Sequence, residues 1–242
     1  MVVVSRFLAF SGYNARADTS FKSPADVVRA IAHCNMQTCS GVSKQLELAF
    51  PISLPCEAST LVGAFEENIN DAIITIDCSG DFGLVLLRQT REGRWTFMNS
   101  VSYPQGDTYG NLKVSTQNID SSITKDIVVE HVIGMHGTGY LEDFFIVFRI
   151  VDGRLRAVLH VLEHYVRAGW SGVPDLDEQS TFVFDAPTSK QPGDIVERLV
   201  ISAGDLPRIS LEQGYGWNPS SKMYAPEGWT EIELHPRAQK PQ

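Results

Sequence analysis

Short apolar segments alternate with turn residues along most of the chain, a pattern typical of antiparallel β-sheet. Residues 72–78 (AIITIDC) and 82–89 (FGLVLLRQ) are separated by Ser-Gly-Asp, and Arg-Glu-Gly leads from there into residues 94–101. In that third segment Trp95 and Phe97 alternate with polar residues, so one face is expected to be buried. The three segments predict a meander.

The second half of the chain contains the strongest strand signals. Residues 143–151 (DFFIVFRIV) and 154–166 (RLRAVLHVLEHYV) flank Asp152-Gly153, a dipeptide that favours a two-residue hairpin turn. Residues 127–133 (IVVEHVI) also give a good strand pattern, and further candidate strands cover 112–116, 180–185, 195–202, 209–215, 223–224 and 229–234. The pattern predicts a mainly β protein of about ten strands, an antiparallel sandwich or a meander or barrel.

A short helical segment is expected before these strands. Ser23-Pro24-Ala25-Asp26 is a helix start, because serine caps the helix, proline fits its first turn and aspartate complements its positive end. This helix is predicted to end near His33 or Cys34, and a second helix is predicted over residues 42–50, stopped by Pro51.

The expected organisation has four parts. Residues 1–17 are a possible export signal or its remnant, and residues 18–57 are a helical, cysteine-bearing cap. Residues 58–235 form the β domain, and residues 236–242 are a disordered tail. No internal repeat of 20–50 residues is evident, so a propeller or solenoid is not supported.

Four cysteines lie in the first third of the chain, at Cys34, Cys39, Cys56 and Cys78. An even, clustered count suits two disulfides, and four cysteines allow three pairings. The sequential pairing, Cys34–Cys39 and Cys56–Cys78, is favoured. The alternative is four buried free thiols in a cytosolic protein. A zinc site is disfavoured because no CxxC pair occurs.

The first residues bear on the compartment. Ala15 and Ala17 form an A-x-A pattern before Asp18, as a signal-peptidase site would, although a short apolar strand or a tail fits the same residues. Together with the cysteines, this pattern predicts a periplasmic or extracellular protein.

Charge and hydropathy exclude some partners. The chain of 242 residues has 20 Lys and Arg against 29 Asp and Glu, a net charge of −9. Such a balance argues against a general nucleic-acid or anionic-membrane surface. No apolar run approaches the length of a transmembrane helix.

The sharpest catalytic candidate is His160-Val-Leu-Glu163-His164, which matches the H-x-x-E-H pattern of zinc peptidases. On a helix both histidines would share one face and bind zinc while Glu163 activates water. On a strand, residues i and i+4 are about 13 Å apart at Cα, which disfavours a shared metal. The strand interpretation is preferred, and a zinc-dependent hydrolase remains the alternative function.

Two further groups of polar residues are candidate metal sites. Glu130, His131 and His136 lie near a glycine loop, and cross-strand proximity would bring His131 close to His160. Separate surface or core residues are the simpler interpretation. The acidic stretch 175–178 (DLDE) lacks the glycine and the final glutamate of an EF-hand, so a solvated loop is expected there.

Aromatic residues crowd the C-terminal region and one earlier loop. Loop aromatics with Asn, Ser and Gly can form a recognition surface for glycans, peptides or proteins, but they can also cover the open edge of a sheet. The candidate ligand-binding residues are Trp170, Tyr215, Trp217, Tyr224 and Trp229.

The sequence therefore predicts an exported β-rich protein that is a non-catalytic binding or interaction module. Its partner would be a protein or an envelope ligand of unknown identity, and no nucleic acid or cofactor is expected. The alternatives are the zinc-dependent hydrolase and a cytosolic β-rich accessory subunit without disulfides.

Overall fold

The structure, a computed structural model, describes residues 20–35, 37–52, 55–66, 69–78, 81–103, 112–119, 125–135, 139–169, 173–184 and 193–235. These residues form two short helices and thirteen strands. The helices are α1 (Pro24–Ala32) and α2 (Cys39–Gln45). The protein is mainly β, as predicted.

The strands form two sheets in which every pairing is antiparallel. A five-stranded sheet has the order β1-β5-β4-β3-β2 and an eight-stranded sheet has the order β13-β12-β11-β10-β9-β8-β7-β6. The strands of the first sheet are β1 (Ser20–Phe21), β2 (Glu57–Glu66), β3 (Ile69–Cys78), β4 (Asp81–Gln89) and β5 (Trp95–Tyr103). Those of the second are β6 (Leu112–Gln117), β7 (Asp126–Met135), β8 (Tyr140–Val151), β9 (Arg154–Arg167), β10 (Leu176–Phe184), β11 (Ile195–Ala203), β12 (Arg208–Asn218) and β13 (Met223–His235). Neither sheet closes into a barrel among the described strands.

Helix α1 is confirmed, whereas α2 begins and ends earlier than the predicted 42–50. The carboxylate of Asp26 accepts hydrogen bonds from the backbone N–H and the hydroxyl of Ser23, which fixes the start of α1. Before α2, the side-chain oxygen of Asn35 accepts a hydrogen bond from the backbone N–H of Thr38. This bond forms a turn directly before the helix starts. Glu47, with φ 50°, takes the chain out of the helical conformation.

Both disulfides have the predicted pairing. Cys34–Cys39 joins the residues after α1 to the first residue of α2, with a sulfur–sulfur distance of 2.00 Å. Cys56–Cys78 joins the residue before β2 to the end of β3, with a distance of 2.06 Å. The second disulfide lies next to the cross-strand pair of Glu57 and Asp77, so it extends the β2–β3 ladder covalently.

The five-stranded sheet is apolar on both faces. Residues of β3 and β4 alternate between one core under the helices and another against the eight-stranded sheet. Ile74 and Val85 face the helices, while Ile73 and Leu84 face the other sheet. The near-continuous apolar runs at 72–78 and 82–89 therefore reflect central strands covered on both sides.

The eight-stranded sheet curls so that its last strands pack back over β7–β9. The ring of Phe145 in β8 stacks on that of Phe182 in β10, with centroids 4.6 Å apart. The guanidinium of Arg149 in β8 lies 5.0 Å from the ring of Trp217 in β12. In a flat sheet β8 and β12 would be about 19 Å apart, so only strong coiling allows this contact.

The predicted Asp152-Gly153 hairpin is confirmed. Val151 pairs with Arg154, and the two residues between them have φ of 53° and 71°. Positive φ at both positions is what a type I′ turn requires, and Asp-Gly meets it at low cost. This turn sets the register of the β8–β9 hairpin that carries the H-x-x-E-H stretch.

Candidate functional site

The predicted aromatic surface is largely a core. Tyr215 and Tyr224 are buried, and Trp217 contacts Tyr224 edge to face with centroids 5.2 Å apart. The hydroxyl of Tyr224 donates a hydrogen bond to the carbonyl of Gly193 at 3.2 Å. These three side chains fill the space under the curled sheet, because large aromatic side chains gain most free energy when buried.

The other two aromatic candidates are Trp170 and Trp229. Trp170 lies outside the described residues. The side chain of Trp229 in β13 is 45% exposed, opposite the buried Gln213 of β12. Of the four candidates that the structure describes, Tyr215, Trp217 and Tyr224 therefore lie together in a core, and Trp229 is exposed.

Tyr215 instead takes part in a buried polar cluster. Its hydroxyl donates to Oε2 of Glu197 at 2.5 Å, and the hydroxyl of Ser180 donates to Oε1 at 2.5 Å. Glu197 is 3% exposed. Burial raises the pKa of the Glu197 carboxyl, and the two hydroxyl donors offset only part of that effect.

Replacing Glu197 with glutamine is expected to stabilise the protein more at pH 8 than at pH 5. A raised pKa in the folded state means that this carboxyl contributes stability below its ordinary pKa, and that the contribution is lost as pH rises through the folded value. Glutamine is neutral throughout and still accepts from Tyr215. Urea unfolding at both pH values tests this, with Glu92→Gln in the exposed β4–β5 turn as the control. An equal change at both pH values would contradict it.

The H-x-x-E-H stretch lies in the strand β9, so the helix that zinc catalysis requires is not formed. His160 pairs with Ile146 of β8, whereas His164 pairs with Asp143, three residues away on that regular strand. The odd spacing arises because Glu163 is an extra residue in a β-bulge. Because side chains alternate along β8, the two histidines project from opposite faces of the sheet and do not share a metal.

The two imidazoles have different surroundings. The ring of His160 contacts Phe144 and Tyr103 with centroids 5.2 and 5.9 Å apart, and desolvation lowers its pKa. His164 lies between two carboxylates, with Nδ1 3.4 Å from Asp143 and Nε2 3.1 Å from Asp177. These contacts tie β9 to β8 and β10, which is a structural role.

One of the remaining metal candidates has another partner, and one lies outside the described residues. Glu130 makes an ion pair with Lys113 at 2.8 Å, His131 lies in β7, and His136 is outside the described residues. The loop predicted for residues 175–178 is wrong, because β10 begins at Leu176 and pairs with β9. Nowhere in the described ranges are three His, Cys, Asp or Glu side chains grouped to hold a metal ion.

An uncovered side of the sandwich is the feature that sequence reasoning missed. β2 pairs with β3, and β6 pairs with β7, but neither has a second neighbour among the described strands. Side chains of both edge strands and of β3 line one shallow pocket. They are Glu57, Ala58, Ser59, Leu61, Thr75, Asp77, Leu112 and Val114. We call β2, β6 and this pocket the open rim.

The pocket of the open rim is polar and acidic above an apolar floor. Leu61, Leu112 and Val114 also pack on the core between the sheets. The hydroxyls of Ser59 and Thr75 lie 2.6 Å apart across the β2–β3 pair. Glu57 and Asp77 supply carboxylates, and the pocket lining contains no lysine, arginine or histidine. This combination suits a ligand with both apolar and cationic groups.

The sequence pattern places residues 58–71 in the β domain but predicts no strand there. The segment contains Thr60, Val62 and Phe65, which favour a strand, but Gly63 interrupts the run and the alternation is weak. The sequence does not predict that β2 and β6 are edge strands, because strand order depends on pairing between segments far apart in the sequence.

No helix in the described part of the chain is long and apolar enough to cross a membrane. Comparison with protein-family models, with curated proteins and with solved structures found no match to this chain.

Proposed function

We propose that this chain is an exported, non-catalytic binding protein that contacts its partner at the open rim. The observation that carries the proposal is the juxtaposition of a pocket of mixed chemistry and two strand edges that have no second neighbour among the described strands. Strand edges present backbone donors and acceptors that pair readily with another chain.

The disulfides support the exported part of the proposal. Disulfides persist in oxidising compartments and are rare in the cytosol, where thiols are kept reduced. Cys34, Cys39 and Cys78 are each buried within the folded protein, so they serve as structural links. A net charge of −9 at pH 7 favours partners that carry positive charge.

Two readouts on the full chain in the cells that make it test the proposal. After denaturation without reductant, we expect no cysteine to react with maleimide. A photo-crosslinking residue at the exposed Val62 of β2 is expected to give one adduct that mass spectrometry identifies. The same residue at Val183, exposed in the interior strand β10, is the control and is expected to give none.

The two parts of the proposal fail separately. Four reactive thiols would contradict export. Adducts at both positions, or at neither, would contradict a partner at the open rim.

A further inference from the structure

We infer that β2 accepts an extended, cationic peptide segment of a partner as an added strand of the five-stranded sheet. This inference rests on the proposed function and names the class of partner. Strand addition obtains affinity from main-chain hydrogen bonds and specificity from pockets for alternate side chains. The open rim offers both, an edge and a pocket beside it.

Among the edge strands of the described region, β2 has the least protection against pairing. β1 has only two residues, and β6 has six and carries Lys113. β13 contains Pro226 and pairs with β12 through two register shifts. Short length, lysine, proline and bulges are the usual devices that keep an edge from pairing.

β2 lacks those devices over most of its length. It has ten residues (EASTLVGAFE), with no lysine, arginine or proline. Its pairing with β3 is regular from Glu57 to Gly63, and the one register shift lies beyond Gly63. The side chain of Val62 is 71% exposed. A long, regular edge with an exposed apolar side chain is a template for another strand.

The charge of the pocket selects the side chains of the added strand. The carboxylates of Glu57 and Asp77 line it, and Leu61, Leu112 and Val114 form its apolar part. A lysine or arginine side chain places its methylene groups against apolar surface and its cationic end at a carboxylate. Alternating β-branched and basic residues would therefore match the edge and the pocket together.

A second copy of this chain is a poorer occupant. If two β2 strands paired antiparallel about the centre of the strand, Glu57 of each would lie opposite Glu66 of the other. Like charges directly opposite each other destabilise a strand pair. Glu66 also makes an ion pair with Arg88, so Glu57 carries most of this repulsion, and that acidic end of β2 favours a cationic partner over self-association.

The first test selects random ten-residue peptides by display on the purified, disulfide-intact chain and measures Kd by fluorescence anisotropy. We expect the enriched peptides to alternate β-branched residues with lysine or arginine. Two versions of such a peptide are then methylated at alternate backbone nitrogens, one at the odd and one at the even positions. Only one of the two should bind at least tenfold more weakly, because only one set of N–H groups faces β2.

Variants of the protein then locate the peptide. Val62→Lys adds a protective charge to the edge and should weaken binding at least tenfold. Val183→Lys makes the same change at an exposed valine of an interior strand and should change Kd less than twofold. Glu57→Gln should weaken lysine-containing peptides several-fold and reduce the salt dependence of their binding. Thermal unfolding confirms that each variant is folded.

Three results would overturn the inference. The first is that no peptide is enriched. The second is that binding is insensitive to both N-methylation and Val62→Lys, which would place the binding function elsewhere on the chain. The third is that the chain forms dimers that Val62→Lys dissociates, which would make a second copy the occupant. The thiol and crosslinking measurements decide the proposed function independently of these outcomes.

Discussion

Replacing Arg149 with leucine is expected to lower the free energy of unfolding by about 3–5 kcal/mol. The guanidinium makes two hydrogen bonds of 2.7 Å to the carboxylate of Asp126, whose side chain is 4% exposed. Leucine removes the cation and leaves that carboxylate buried. It also removes the contact of Arg149 with Trp217, which joins β8 to the curled half of the sheet.

Arg198→Leu is the matched control for this substitution. Arg198 makes an ion pair of 3.0 Å with Glu212, but the two side chains are 58% and 36% exposed. Exposed pairs are worth about 0–1 kcal/mol, so this variant should unfold close to the wild type. Urea unfolding of both variants at pH 7 is the measurement. Equal losses would show that burial of the Arg149–Asp126 pair does not make its loss more costly than that of an exposed pair.

Removing the Cys56–Cys78 disulfide is expected to cost about 3 kcal/mol, and removing Cys34–Cys39 about 2 kcal/mol. The disulfides close loops with sequence separations of 22 and 5, and a longer closed loop restricts the unfolded chain more. Double alanine variants measured by urea unfolding test the order of the two effects. The alanine pair at 56 and 78 also removes the covalent end of the β2–β3 ladder.

Reduction of the wild-type protein provides the control for these variants. Unfolding in dithiothreitol should reproduce the combined loss, whereas dithiothreitol should have little effect on a variant that lacks all four cysteines. A larger loss for the shorter loop would contradict the loop-length argument and would indicate that packing around Cys34 and Cys39 dominates.

The H-x-x-E-H stretch shows where local pattern stops being informative. Its strand conformation followed from the Asp152-Gly153 turn and the preceding apolar strand, and both were evident in the sequence. The bulge at Glu163 was not, because a bulge is defined by pairing with another strand. That bulge decides that His164 faces Asp143 while His160 faces Phe144.

The aromatic residues near the C-terminus illustrate a second limit. Their loop-like context with glycine and proline suggested an exposed surface, with coverage of the sheet edge as the alternative. The curl of the eight-stranded sheet buries Tyr215 and Tyr224 and brings Trp217 to Arg149. Nothing within residues 215–229 encodes the curl, because it arises from the coiling of strands that are far apart in sequence.

The amino-acid sequence by itself determined the strand-rich class, the start of α1 and the hairpin at Asp152-Gly153, and it favoured the sequential disulfide pairing among three possible ones. Each depends on chemistry among near neighbours: alternation, capping, a turn dipeptide and cysteines close in the chain. Only the tertiary structure decided the strand order, the opposite faces of His160 and His164, and the open rim. These features depend on which strands pair although they are far apart in the sequence. The free energy of that pairing is shared among residues that no short stretch of the sequence contains together.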